Sequence, residues 1–365
     1  MSYESQIDEL LLEAYDAPLG SARLGFLEAA VNLADQHNDL DRAFTARQQI
    51  IQTGVFCGAP EKALPAFSWC LAQSDRYPDK FVASQGGFAN DLMWEFKWMV
   101  ENLPLFPQVT RSQLDATFDD MERRYTAHNI SLRPVWMHRG LAAATMGDGN
   151  DRIVELRRHW QDLRRDVYAD CTACEAAKEI RIHLELGEHE RALKRAEPVI
   201  DGRLTCAQVP ASVMCELLSP LHERGQTARA DELHQRGYRM CKTNPEFTES
   251  VGIHLRYATL RGRLDEATRI FERHLIWALE MRTPHWQLAF YLGALTYLTR
   301  VVSNSAELRV RLPPEHELSR DDGVYDGQQI LGWFEQTSRA IADQFDERNG
   351  NDRYTRLVDA AVVPA

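Results

Sequence analysis

Apolar residues recur at helical spacing along almost the whole chain, and alternating β-branched runs between turn residues hardly occur. The pattern predicts an all-α chain. Two helices are expected over about 6–14 and 22–36, and a hairpin over about 40–73 that turns at Gly58-Ala59-Pro60. A long helix from about 81 to 102 stops at Leu103-Pro104, because proline cannot continue it. Thr110 caps a helix reaching about 128, and a pair over about 132–146 and 151–167 is joined by Gly147-Asp148-Gly149-Asn150. Three hairpins fill 170–281, and a helix over about 284–302 follows. Residues 304–323 read as a polar loop, the segment expected to move most; 324–348 read as a closing helix and 349–365 as a loose tail. The total is about sixteen helices in eight hairpins.

The three hairpins of 170–281 repeat one pattern: a glycine, an alanine five residues on, and a third helix-compatible residue after four more. The sets are Gly187, Ala192, Ala196; Gly225, Ala230, His234; and Gly262, Ala267, Phe271, with Gly58, Ala63 and Phe67 as an upstream copy. Small alanines let two helices approach, and the larger residue one turn on fills the space beside them. These residues resemble the turn and second helix of the tetratricopeptide repeat, seen best in Gly262-Arg263-Leu264-Asp265-Glu266-Ala267. The first helices depart from that family, with Ile180, Leu218 and Leu255 where it usually has a small residue. The resemblance implies a right-handed superhelix of antiparallel helical hairpins, an α-solenoid over 1–303, whose concave face holds a protein or peptide.

Carried onto this chain, the inward positions of that family become Arg181 and Leu184, Ser219 and His222, and Arg256 and Thr259. The two arginines suit a carboxylate on a partner. On the helix expected at about 81–102, Phe88, Leu92, Phe96 and Met99 share one face, and Trp94 with Trp98 take another. A second apolar face serves a packing neighbour or a ligand, so Trp94 and Trp98 join Arg181, Ser219, His222 and Arg256 as candidate binding residues.

Composition narrows the partner. With 42 basic and 54 acidic residues the net charge is −12, which disfavours nucleic acid and anionic membrane surfaces and favours a basic partner surface. No run of eighteen apolar residues occurs, and the acidic start Met1-Ser2-Tyr3-Glu4 lacks a basic segment followed by an apolar block. A cytoplasmic location is expected, and seven cysteines fit a reducing compartment better than a disulfide framework.

Asp170-Cys171-Thr172-Ala173-Cys174 is the sharpest local chemistry. Thiols in a first helical turn have lowered pKa values, and Cys206 with Cys215 would complete four ligands for a metal. The simpler reading is that these cysteines are small packing residues. No His-Glu-x-x-His, phosphate loop, nucleophile elbow or dinucleotide fingerprint occurs, so no cofactor and no catalysis are expected. The leading expectation is a non-catalytic scaffold for a protein or peptide. A peptide-sensing regulator comes second, and a thiol or zinc-dependent enzyme centred on Cys171 and Cys174 third.

Overall fold

One turn geometry recurs along the chain. Gly187, Gly225 and Gly262 have φ of +70°, +73° and +70°, and the residue after each donates its N–H to the carbonyl five residues back: Glu188 to His183, Gln226 to Leu221, Arg263 to Ala258. This is the Schellman closure, in which a left-handed residue lets the chain reverse while satisfying the last helical carbonyls. The same closure joins Asp39 to Ala34, Ala59 to Gly54 and Asp148 to Ala143. The computed structural model describes residues 2–84, 86–87, 90–303 and 307–363, and they are helical almost throughout.

The helices are α1 (Tyr3–Asp16), α2 (Ser21–Gln36), α3 (Leu40–Phe56), α4 (Pro60–Arg76), α5 (Leu92–Asn102), α6 (Arg111–Ala127), α7 (Arg133–Met146) and α8 (Asn150–Gln161). There follow α9 (Thr172–Glu185), α10 (His189–Ile200), α11 (Ala211–Glu216), α12 (Leu218–Glu223), α13 (Thr227–Cys241), α14 (Thr248–Leu260), α15 (Leu264–Glu280) and α16 (Pro284–Val302). After β1 (Glu307–Arg309) and β2 (Val324–Asp326) come α17 (Gly327–Asn349) and α18 (Arg353–Val362). Among these residues no helix is long and apolar enough to cross a membrane.

The chain divides into two compact units. The first comprises Met1–Pro104, Ser112–Ala142 and Glu155–Ala169. In it α1 to α5 pack each on the next, and Ala30, Ala34, Ala43 and Ala46 are fully or almost fully buried around Ile7. The second comprises Leu105–Arg111, Ala143–Val154 and Asp170–Ala365. Its hairpins pair α9 with α10, α11 and α12 with α13, and α14 with α15, while α16 packs on α15 and α17. The first helices also touch one another in order, α9 to α11, α11 to α14 and α14 to α16. Ala192, Ala196, Ala230, Ala267, His234 and Phe271, the residues of the repeated pattern, are all at most 1% exposed.

Three expectations change. The helix placed at 81–102 begins only at Leu92, where Asp91 caps it by accepting from the N–H groups of Met93 and Trp94; Phe88 lies outside the described residues. The helix placed at 151–167 ends at Gln161, so Arg164 and Arg165 are not on it. The polar loop carries a strand, Glu307 to Arg309, paired antiparallel with Asp326 to Val324 at the start of the segment expected as the closing helix, which itself begins at Gly327; the pair buries Leu308 and Tyr325.

The tail expected after 349 is also corrected, because it contains a packed helix. Gly350, at φ +70°, ends α17, and the Asp346 carboxylate accepts from the N–H groups of Tyr354 and Thr355 at 2.8 Å each. Those are two of the unpaired donors at a helix start, so a side chain of α17 caps α18. Tyr354, Val358 and Ala361, spaced to share one face, are 2% or less exposed in the main core.

Candidate functional site

The first helices of the second unit set charged residues beside one another. Arg181 on α9 has Nη2 3.4 Å from Glu249 Oε1 on α14 and Nε 4.0 Å from Glu216 Oε1 on α11. His285, in the first turn of α16, places Nε2 3.4 Å from the same Glu249 oxygen. One guanidinium therefore serves two carboxylates. Burial pushes Glu216 up to about 7, with Arg181 opposing and Glu249 reinforcing the shift. Burial would raise Glu249 too, but Arg181 and His285 overcome it and hold that carboxylate at about 2. Near neutrality Glu249 is therefore fully charged, whereas Glu216 is shifted toward its protonated form.

The start of α18, a helix packed on α16 and α17, reaches this row. Arg353, the first residue of α18, makes a two-pronged pair with Glu185 on α9, at 2.5 and 2.8 Å. Such fork-to-fork pairing is the strongest common geometry for a guanidinium and a carboxylate. The Tyr354 hydroxyl lies 3.0 Å from His285 Nδ1 and donates to the carbonyl of Thr145 at 3.2 Å. Asn351 Nδ2 donates to the carbonyl of Met146 at 2.8 Å.

Of the residues expected to bind a partner, Arg181 lies at the centre of this row. Ser219 and Glu216 share a face of the α11–α12 segment, and Ser219 is half-buried. His222 is half-buried with its ring edge on Tyr257, at 6.0 Å between centroids. Arg256 lies two turns beyond Glu249 on α14; burial lowers its pKa, and the Glu223 charge opposes that. Its partner position Thr259 is buried and donates to the carbonyl of Leu255, so it is a packing residue. Trp94 and Trp98 belong to the first unit. Trp94 is half-buried beneath the Lys97 ammonium, 3.3 Å from its ring centre, and Trp98 meets the edge of Phe56 at 5.3 Å.

Of the four cysteines considered as ligands, three converge. The sulfurs of Cys171, Cys174 and Cys206 all lie within 4.8 Å of one another. Cys171 caps α9, its sulfur accepting from the N–H of Cys174 at 3.4 Å. Cys206 arrives on the loop after α10, fixed by its N–H to the carbonyl of Val209 at 2.8 Å. Burial opposes ionisation of Cys171, but the Cys174 N–H, the Cys174 and Cys206 thiols and the Ala173 N–H outweigh it, so its pKa is lowered. Burial raises that of Cys174, against the nearby Lys178 charge. Cys215 does not join them. It is 2% exposed inside α11, its thiol directed at the carbonyl of Ser212, and burial drives its pKa up, so it is a core residue.

Two polar clusters escaped the sequence. His234, His254 and His274 are fully buried between α13, α14 and α15. His234 Nε2 faces Glu266 Oε1 at 3.1 Å, and its Nδ1 faces His254 Nδ1 at 3.0 Å. Where His234 donates through Nε2 to Glu266 it accepts at Nδ1 from His254, which leaves His254 Nε2 a bare acceptor packed against Gly237. In the first unit Asp91, Glu95 and Lys97 are fully buried; Lys97 donates to the carbonyl of Tyr168 at 2.7 Å, and Asp91 accepts from the Tyr168 hydroxyl at 2.9 Å. Neither cluster has a sequence signature, because its members meet only through packing.

Comparison with protein-family models, with curated proteins and with solved structures finds no match to this chain.

Proposed function

We propose that this chain is a non-catalytic binding protein of tetratricopeptide-like design, a superhelical stack of hairpins whose inner face captures a helical segment of a protein partner. The observation that carries the reading is the seating of α18. Helix α18 packs its apolar face on α16 and α17, and its first two residues reach the row, an arginine to Glu185 and an aromatic hydroxyl to His285. A partner recognised in the same way offers a basic residue beside an aromatic one on an amphipathic helix, the helix-in-groove mode of recognition. The chain's net charge of −12 favours such a basic segment at long range.

The intramolecular position of α18 also favours a regulatory version of this reading, in which a peptide that displaces α18 is sensed by the protein. A cytoplasmic setting fits free thiols at Cys57, Cys171, Cys174 and Cys206. The test is Arg353→Glu in the full chain, with and without Glu185→Arg, with captured proteins from native lysate quantified against wild type. More of the main captured protein on the Arg353→Glu chain, lost again when Glu185→Arg is added and with unfolding behaviour retained, is expected. An unchanged capture profile would remove the inner face from the account.

A further inference from the structure

We propose that Cys171, Cys174 and Cys206 form a tris-thiolate site for a thiophilic cation, with zinc(II) as the ion it takes. The arrangement is unlike core packing. Cys70, Cys215 and Cys241 are 2% or less exposed, as expected of cysteines that fill a core, whereas Cys171 and Cys206 are exposed and Cys174 is half-buried. Two of the thiols come from one helix start and the third from a loop 32 residues beyond Cys174, so the convergence is made by the fold.

The geometry is close to what the ion needs. Zinc–sulfur bonds of about 2.3 Å at tetrahedral angles put ligand sulfurs about 3.8 Å apart. The present separations, within 4.8 Å, need a closure of about 1 Å, and the loop carrying Cys206 can supply it. On binding, each thiol still protonated gives its proton to solvent, three zinc–sulfur bonds form, and the centre is left with a single negative charge. Lys178, whose ammonium lies 2.6 Å from Asp170 at the same helix start, supplies positive potential to Cys174. The exposure of Cys171 and Cys206 leaves the fourth position to water or an external ligand, as in open zinc sites. The helix N-terminus adds N–H donors toward the Cys171 sulfur, a setting that favours the thiolate.

The test uses the full chain, reduced and freed of metal. Zinc(II) is titrated in competition with a chromophoric chelator, and cobalt(II) serves as the spectroscopic probe. One equivalent of zinc per chain is expected, and cobalt should show thiolate charge-transfer absorption with tetrahedral ligand-field bands. Cys206→Ser, at an exposed loop position, should weaken zinc by more than about a hundredfold, beyond the loss usual for a residue that only supports a ligand. Its circular dichroism and melting temperature without metal should match wild type, and Cys57→Ser should bind zinc like wild type. Absence of zinc binding by the reduced chain overturns the site. So does zinc affinity unchanged in Cys206→Ser, or a Cys171–Cys174 disulfide that persists in reductant and excludes metal.

Discussion

Replacing Gly293 by alanine should destabilise the second unit, whereas the same change at Gly332 should stabilise it. Helices α14 and α16 cross backbone to backbone. A Cβ on Gly293 would lie 2.3 Å from the carbonyl oxygen of Gly252, and one on Gly252 would lie 2.5 Å from the Cα of Phe290. Backbone cannot rotate away as a side chain can, so the crossing must open by about 1 Å and loosen Leu288, Phe290 and Leu295 in the core. Overpacking of this kind costs about 3 kcal/mol at the upper end of its usual range, and alanine returns about 1 kcal/mol in helix propensity. The net loss is about 2 kcal/mol, or about 4–8 °C in melting temperature for a unit of roughly 200 residues. Gly332, on α17, has nothing within 4 Å of the added atom, so Gly332→Ala should gain up to about 1 kcal/mol. Thermal and urea unfolding followed by tryptophan fluorescence measures both. A Gly293→Ala protein as stable as Gly332→Ala would refute the close crossing.

Burial depresses the pKa of His234, His254 and His274, the last to about 4. A depressed folded pKa means stability is full above the ordinary value near 6.5 and falls as the pH drops below it; His274 accounts for up to about 3 kcal/mol. Urea unfolding between about pH 7.5 and 4.5 should show this loss, and His274→Gln should reduce it. Glu216 acts with the opposite sign: its raised pKa favours folding at low pH and loses that advantage as the pH rises through about 7. Glu216→Gln should gain about 1–2 kcal/mol relative to wild type between pH 5 and 8, scaled down because 22% of the side chain is exposed. A variant-minus-wild-type difference flat in pH would contradict a protonated Glu216. Arg353→Glu should loosen α18 by about 1–2 kcal/mol, read as faster amide exchange over 353–362, and the swap with Glu185→Arg should restore protection.

Most helix boundaries were legible because turn chemistry is local. Proline at Pro60 and Pro284 sets helix starts, and the glycines at 58, 147, 187, 225 and 262 adopt the left-handed turn that their spacing suggests. Alanines five residues after four of those glycines are buried as their size requires, at 63, 192, 230 and 267. The misplaced start of α5 has an equally local cause, since Asp91 caps at a position hidden inside an apolar run. Helix α18 was within reach: Tyr354, Val358 and Ala361 recur at helical spacing, but its start depends on Asp346, supplied by the preceding helix.

The candidate site was legible only in its outline. Arg181 and the cysteine pair were visible as residues, yet Glu216 and Glu249 become neighbours of Arg181, and His285 of Glu249, only when α9, α11, α14 and α16 stack, and Cys206 joins the pair only through the loop after α10. The crossing of Gly252 over Gly293 has the same character. A helical glycine in sequence looks like a weak helix former, and its use is to let another backbone approach.

The proposed function rests on the inner row accepting a basic helix, and a peptide titration tests it most directly. A labelled peptide of residues 350–363 is titrated by fluorescence anisotropy into the full chain carrying Arg353→Glu, and separately into wild type. Saturable binding at least about tenfold tighter than to wild type is expected, because the tethered helix no longer competes, and adding Glu185→Arg should abolish that gain. Equal binding to all three proteins, or no saturable binding to the Arg353→Glu chain, would contradict the account.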